Sequence, residues 1–453
     1  MERTFHRFQV KNADQQFMKM MQWGQKHFST CCFLNTNQYA HDRYTRFNQA
    51  LALGVADETS GIGTDDFSEL RKFSDKHTDW LFGFFSYDLK NQQENLESRN
   101  FDGIELPLIH FFRPIVLVFP GNDFLLIGCL PGYGQFSDPA FVFGQINNFV
   151  EAPLQAFSPV EMKQRVPRER YLHQVGNIRQ NIQLGYIYEM NYCVEFFSAN
   201  AIIDPLTVYG RLNQLSPTPF SCYYRLNDKY LMCASPERFL RKQGKKLISQ
   251  PIKGTAKRGS SPTEDELLKK QLSEDPKERS ENVMIVDLVR NDLSRTAKKG
   301  SVKVEELFGV YSFRQVHQMI STVVSKLRDD THFTDAIRFA FPMGSMTGAP
   351  KVQAMKLIEN YEDTRRGLYS GAVGYISPEK DFDFNVIIRS VLYNQSRSYL
   401  SYMAGSAITI GSVPEREYEE CLLKAKAMQA AVCGVPLNAL NTNGNEPFKA
   451  IDC

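Results

Sequence analysis

The 453 residues contain nine cysteines but no CxxC pair, and no apolar run approaches the length of a bilayer. Without CxxC or a metal-ligand rhythm, neither a zinc ribbon nor a thioredoxin-like redox site is supported, so the scattered thiols, Cys31 and Cys32 included, are expected to be reduced and mostly buried. The best apolar stretch, PIVLVFP at 114–120, is far too short for a membrane helix, and MERTFHRFQV has no signal-peptide core. The expectation is a cytoplasmic protein with no membrane partner. Charge of one sign is also lacking: 53 Lys and Arg against 51 Asp and Glu leave +2, so nucleic acid is not an expected partner. The basic run RKQGKK at 241–246 is interrupted by glycine and reads as a solvated hairpin. No GxGxxG or GxxxxGK[ST] opens a helix, and there is no internal repeat.

Aromatic residues, by contrast, are abundant, with 33 Phe and 20 Tyr. Between 73 and 160, short runs such as WLFGFFSYDL and DFLLIGCL, broken by Pro and Gly, predict strands. Tyr171, Val175, Ile178 and Ile182 recur at helical spacing. Hairpin-like segments follow over 222–252, then helix over 262–295, and EREYEECLLKAKAMQAAV predicts a C-terminal helix. Strands and helices alternate without a βαβ rhythm. The expected organisation is a sheet-rich part over 1–160, a catalytic region over 161–435 and a tail over 436–453.

Several polar residues stand beside apolar structure. In SENVMIVDLVRNDLSR, Glu281 shares a helical face with Met284, Ile285 and Leu288, and in the last helix Glu420 lies three residues after Glu417 and four before Lys424. Each reads as a salt bridge or as a site; two carboxylates from distant helices could hold one Mg²⁺. Thr347 in GSMTGAP precedes a helix start, either as simple capping or as part of an anion site. Gly405 in MAGSAITIGS lets backbone N–H groups approach a ligand. Arg389, within NVIIRS, needs an anion, either a structural carboxylate or a substrate. His317 is an isolated histidine, structural on the ordinary expectation. Glu237 in ASPERFL and Lys253 in PIKGT, 16 residues apart across a hairpin, could face one cavity as an acid and a nucleophile.

The ordered set ASPERFL, PIKGT, SENVMIVDLVRNDLSR, VHQMIS, GSMTGAPKVQAMKLIE, SGAVGYI, FNVIIRS and EREYEECLLKA, over 234–425, resembles the chorismate-utilising enzymes: anthranilate, aminodeoxychorismate, isochorismate and salicylate synthases. GYIYEMN and SYDL extend the match more weakly. The resemblance implies an α+β, anthranilate synthase component I-like fold, with two halves around large antiparallel sheets, helices outside and the active site in the cleft. It also implies Mg²⁺ on Glu281 and Glu420, and a carboxylate clamp of Arg389 and Tyr375 with backbone near Gly405 and Ser406. Lys424 joins the substrate contacts, Glu237 is the general acid at the 4-hydroxyl, and His317 and Thr347 lie beside the ring.

Within this family, PIKGT rather than PIAGT implies the aminodeoxychorismate branch, with Lys253 attacking C2 and ammonia then replacing it through C4. Isochorismate-type enzymes carry a water-activating lysine where this chain has Glu189. The chemistry asks for part of the Lys253 population to be neutral near pH 7, a fraction that burial or cations such as Lys257 and Arg258 would favour. With no GxCxG elbow in the chain, ammonia is expected from a glutamine amidotransferase partner. Gly185-Tyr186, Glu189, Ala407, Gly411 and Cys421 depart from the family pattern and bear on substrate affinity.

Overall fold

The structure, a computed structural model, describes residues 2–39, 42–61, 64–153, 160–314 and 316–437. The tail from 438 onward lies outside these residues. In the strand Leu81–Phe85 alternate side chains point to opposite faces, and here both faces are buried. Phe82 and Phe84 join Trp80, Phe112, Tyr224 and Leu231 in one cluster, while Leu81 and Phe85 join Phe111, Ile285 and Phe341 in another. A strand that must be apolar on both sides needs cover on both. The aromatic richness of the chain is spent there.

Among the described residues, twenty strands form one continuous sheet, and their pairings are antiparallel. Its two portions pack face to face across the cluster holding Trp80 and Tyr224, with Phe84 and Tyr224 ring centroids 5.2 Å apart. One portion runs through Arg238–Gln243, Phe382–Asn385, Ala372–Ile376 and Leu81–Phe85 to Ile109–Pro120. The other runs from Gln49–Ser60 through Thr30–Asn35, Phe220–Leu226, Lys229–Ser235, Ser390–Asn394 and Tyr399–Ile408 to Glu189–Ser198. Strands from the first 160 residues therefore sit inside a sheet completed on both sides by later ones.

Helices cover the outer faces. Pro276–Ser294 and Phe333–Ala340 bury Ile285, Val286, Val289, Ala336 and Ile337 on one side. Arg168–Gln183, Pro205–Leu215 and Pro414–Cys433 cover the other, where Tyr171, Val175 and Ile178 are buried as their spacing predicts. The segment expected as helix over 262–295 is two helices, Pro262–Glu274 and Pro276–Ser294. The break is local chemistry: Pro276 cannot continue a ladder, and Asp275 caps the second helix by accepting from the N–H groups of Lys277 and Glu278. No helix among the described residues is long and apolar enough to cross a membrane.

Candidate active site

Where Glu189–Ser198, Ile252–Lys257 and Tyr399–Ile408 approach the helices Pro276–Ser294 and Pro414–Cys433, they enclose a cavity of about 570 Å³. Lys253, Glu237, Glu281, Glu420, Arg389, Gly405 and Lys424 all line it.

Lys253 reaches the cavity because its strand is irregular. Ile252–Lys257 pairs with Val316–Lys326, but the register shifts between Ile252 and Thr255. Gly254 supplies the kink with φ of +97°, and a Cβ there would stand 3.2 Å from Met319 Cβ. The lysine side chain is buried, and its Nζ donates to Glu189 Oε1 at 2.7 Å. Burial works against its charge, but Glu189, Glu281 and Glu237 outweigh that effect and hold the amine above its ordinary value. The neutral fraction of Lys253 that the chemistry asks for is thus disfavoured in the resting site. Arg258 does not help to neutralise it, because its guanidinium is forked onto Asp265 at 2.6 and 2.8 Å.

Glu237 is in the opposite condition. It is buried, it accepts from Ser345 Oγ at 2.6 Å, and burial pushes its carboxyl up to about 7, with Ser345 and Lys253 only partly offsetting that effect. A group held near 7 keeps a protonated fraction at neutral pH and can deliver that proton inside a closed site.

The helix Pro276–Ser294 presents Lys277, Glu278 and Glu281 to the cavity, and the C-terminal helix presents Glu420 and Lys424. Burial raises Glu281 to about 7, and its Oε1 accepts no hydrogen bond; the nearest ammonium, Lys277, is 3.6 Å away and also 3.7 Å from Glu417. Glu420 is opposed by burial, yet Lys424 at 2.6 Å brings it below the ordinary value. Among the described residues no cluster of three His, Cys, Asp or Glu side chains could hold a metal. Glu281 and Glu420 face the cavity from two different helices. The incompletely paired Glu281 oxygen fits a divalent cation.

Arg389 is not inside a strand. Pairing stops after Asn385 and resumes at Ser390, and Arg389 takes a left-handed φ of +52° in the gap. Its guanidinium lines the cavity with no ion pair and no side-chain hydrogen bond among the described residues, and burial lowers its pKa despite Tyr369 and Glu420. An unpaired guanidinium facing a cavity is built for an anion.

Three expected residues, His317, Tyr375 and Thr347, lie elsewhere, and Ser406, expected only through its backbone, turns its side chain away. His317 turns its ring to Asp265 Oδ1 and Ser312 Oγ, each at 2.9 Å, and the next residue of the strand, Gln318, faces the cavity with an Oε1 that accepts no hydrogen bond. Tyr375 points into the aromatic interior, 4.9 Å from the Phe47 ring and 5.4 Å from Trp80, with its hydroxyl on Arg241; Tyr369, in the preceding turn, lines the cavity. Ser406 places its hydroxyl 3.3 Å from Tyr171, on the face of its strand away from the cavity. Thr347 uses its hydroxyl on Met343 O and Gly344 O to close the turn that presents Ser345 and Met346. Gly405 does line the site, but the demand for glycine comes from the neighbouring strand, since a Cβ would stand 2.3 Å from Tyr192 O. Lys277 and Glu278, which the sequence reading omitted, are four and three residues before Glu281 and so share its face.

The family model described as chorismate binding enzyme matches residues 29–430. The chain belongs to this family. This chorismate-binding enzyme is similar to aminodeoxychorismate synthase component 1 of Bacillus subtilis (strain 168), 34% identical over 361 residues that cover 77% of this chain and 76% of that protein. It is equally similar to anthranilate synthase component 1 of Thermus thermophilus, 34% identical over 359 residues covering 78% and 77%. The solved anthranilate synthase component I of Streptococcus pneumoniae superimposes with a TM-score of 0.74 at 26% identity, covering 84% of this chain and 91% of that one. The architecture is the one those enzymes share: large antiparallel sheets with flanking helices.

Proposed function

We propose that this chain is an aminodeoxychorismate synthase, which replaces the 4-hydroxyl of chorismate by an amine through a covalent adduct on Lys253. The observation that carries the reading is the presence in one cavity of a buried primary amine, Lys253, and a carboxyl, Glu237, that keeps its proton near neutrality. Chorismate carries two carboxylates. Arg389 and Lys424 supply cations to bind them, and Tyr369 and the backbone at Gly405 shape the wall beside them.

Glu281 and Glu420 would hold a Mg²⁺ ion, which when bound draws electron density from the ring through its carboxylate. The chain's own groups do the rest. The Lys253 nitrogen forms a bond to C2 while the two ring double bonds shift and the C4–O bond breaks, and Glu237 gives its proton to the departing hydroxyl, releasing water. Ammonia then bonds to C4, the double bonds shift back, and the C2–N bond breaks with its electron pair returning to Lys253. The new C4 ammonium returns a proton to Glu237. The enolpyruvyl ether is untouched. A partner glutaminase in the cytoplasm would supply the ammonia.

The test is a product assay of the chain with chorismate, Mg²⁺ and ammonium, with and without an aminodeoxychorismate lyase. The proposal expects p-aminobenzoate only when the lyase is added. Anthranilate and pyruvate formed without it would place the enzyme in the anthranilate branch instead.

A further inference from the structure

The nucleophile in this scheme begins as an ammonium, and an ammonium cannot attack carbon. Five carboxylates surround it: Glu189 from the strand Glu189–Ser198, Glu237 ahead of Arg238–Gln243, Glu278 and Glu281 from Pro276–Ser294, and Glu420 from Pro414–Cys433. Only Glu189 is within ion-pair distance of Nζ, at 2.7 Å. The others act on Lys253 through space, and Asn282 reaches only its backbone carbonyl.

Glu189 is also only half satisfied. It is fully buried, Oε1 takes the lysine hydrogen bond, and Oε2 accepts none among the described residues. An ionised carboxylate with a bare oxygen in a closed site is poorly compensated, whereas a neutral acid beside a neutral amine asks less of its surroundings. The existing hydrogen bond gives one proton a direct path from Lys253 to Glu189.

The backbone aims this carboxylate firmly. Glu189 pairs with Ala349, Tyr188 N–H donates to Ala349 O at 2.7 Å, and Gly348 packs so closely that a Cβ would stand 2.1 Å from Glu189 O. The turn that carries Ser345, the partner of Glu237, is thus locked to the residue that carries the Lys253 partner. Glu237 accepts from the Ser345 hydroxyl and Glu189 from the Lys253 ammonium, so the two carboxyls sit in different hydrogen-bond settings.

We propose that Glu189 is the proton acceptor that turns the Lys253 ammonium into the attacking amine and returns the proton when the lysine is expelled. The step balances: the carboxylate and ammonium become carboxylic acid and amine before C2 is attacked. When the C2–N bond breaks, the amine recovers the same proton from Glu189. The inference rests on the reading of Lys253 as nucleophile.

The experiment compares Glu189→Gln with the parent across pH 6.5–9.5 under saturating chorismate, Mg²⁺ and ammonium. Glutamine keeps an acceptor for the lysine but cannot take a proton. The expected result is a kcat about 100-fold lower near pH 7.5, a little-changed KM for chorismate, and a ratio of variant to parent rate that climbs about tenfold per pH unit, because the lysine proton must now leave to solvent while the Glu237 limb is common to both. Glu189→Asp, which keeps a carboxylate, retains the parent's pH profile with a smaller loss, and decides the matter alone if the glutamine variant does not fold. A Glu189→Gln rate equal to or above the parent's, with the parent's profile, would overturn the proposal and leave Glu189 a mere counter-ion. A second readout is acylation of Lys253 by acetic anhydride, followed by peptide mass: loss of the nearest carboxylate makes the resting amine react at lower pH, and an unshifted profile would equally overturn it. Products identify which idea fails. Anthranilate from the parent defeats the amination reading, whereas 4-amino-4-deoxychorismate from both parent and an unimpaired Glu189→Gln defeats only the role of Glu189.

Discussion

Ser345 donates its hydroxyl hydrogen to Glu237 at 2.6 Å inside the cavity, and burial still holds that carboxyl up at about 7. A hydroxyl donor stabilises the ionised form, so the raised value shows that desolvation wins. The consequence for chemistry is a proton in reserve at neutral pH.

Glu237→Gln removes that proton, and kcat should fall by about 10²–10⁴ with a smaller change in KM. The parent's kcat should decline as pH rises through about 7, where Glu237 ionises, and the variant should lack that limb. Stability follows the same pH trend but responds to the substitution in the opposite sense. Because the folded carboxyl binds its proton more tightly than the unfolded one, its contribution is complete at low pH and is lost as pH rises through about 7. Glu237→Gln should therefore raise Tm at pH 8 and leave it nearly unchanged at pH 4.5, as thermal unfolding at the two pH values would show.

Arg389→Ala should raise KM for chorismate by about 10–100-fold, the worth of a charge-assisted contact, and Arg389→Lys should recover only part of it because the planar fork is lost. Tyr375→Phe should leave KM within about twofold, since that hydroxyl faces Arg241 in the aromatic interior. Steady-state kinetics on the three variants separates them; a large KM effect from Tyr375→Phe would contradict the placement.

The neighbours His317 and Gln318 make a second contrast. Gln318→Ala removes a side chain that lines the cavity and should lower kcat/KM by about tenfold or more. His317→Ala strips Asp265 and Ser312 of a buried partner and should cost about 1–3 kcal/mol of stability while changing kcat/KM less. Urea unfolding and kinetics on both variants check the assignment.

These two pairs show where residue patterns stop being informative. Lys253, Glu237, Glu281, Glu420, Arg389 and Lys424 were legible as candidates because charged residues embedded in apolar or glycine-bounded motifs stand out in a one-dimensional reading, and the structure gathers all six in one cavity. His317 and Tyr375 were assigned from the family resemblance, whereas Gln318 and Tyr369 line the cavity: in VHQMIS a strand changes face at every residue, and Tyr369 lies in the turn before Ala372–Ile376. The register is set by pairings across the sheet, such as Ser312 with His317 and Tyr375 with Phe82. NVIIRS read as one strand because its residues suit a strand; the left-handed backbone at Arg389 was not visible in composition. The carboxylate that holds the Lys253 charge was not legible for a similar reason, since Glu189 lies 64 residues away in sequence and 2.7 Å away in space.

Glu281→Gln should weaken Mg²⁺ binding by about tenfold or more, read by calorimetric titration of Mg²⁺ into enzyme with chorismate and no ammonium. Removal of a carboxyl that burial holds up at about 7 should also raise Tm at pH 8 in the absence of the ion. Unchanged Mg²⁺ affinity in this variant would move the ion elsewhere.

The covalent role of Lys253 is tested most directly by the products of Lys253→Ala with chorismate, Mg²⁺ and ammonium, read by mass and ultraviolet absorption beside the parent. The account predicts loss of most amination at C4, by about 100-fold or more, with any residual amination shifted to C2 as anthranilate and pyruvate. Formation of 4-amino-4-deoxychorismate at the parent's rate would contradict it.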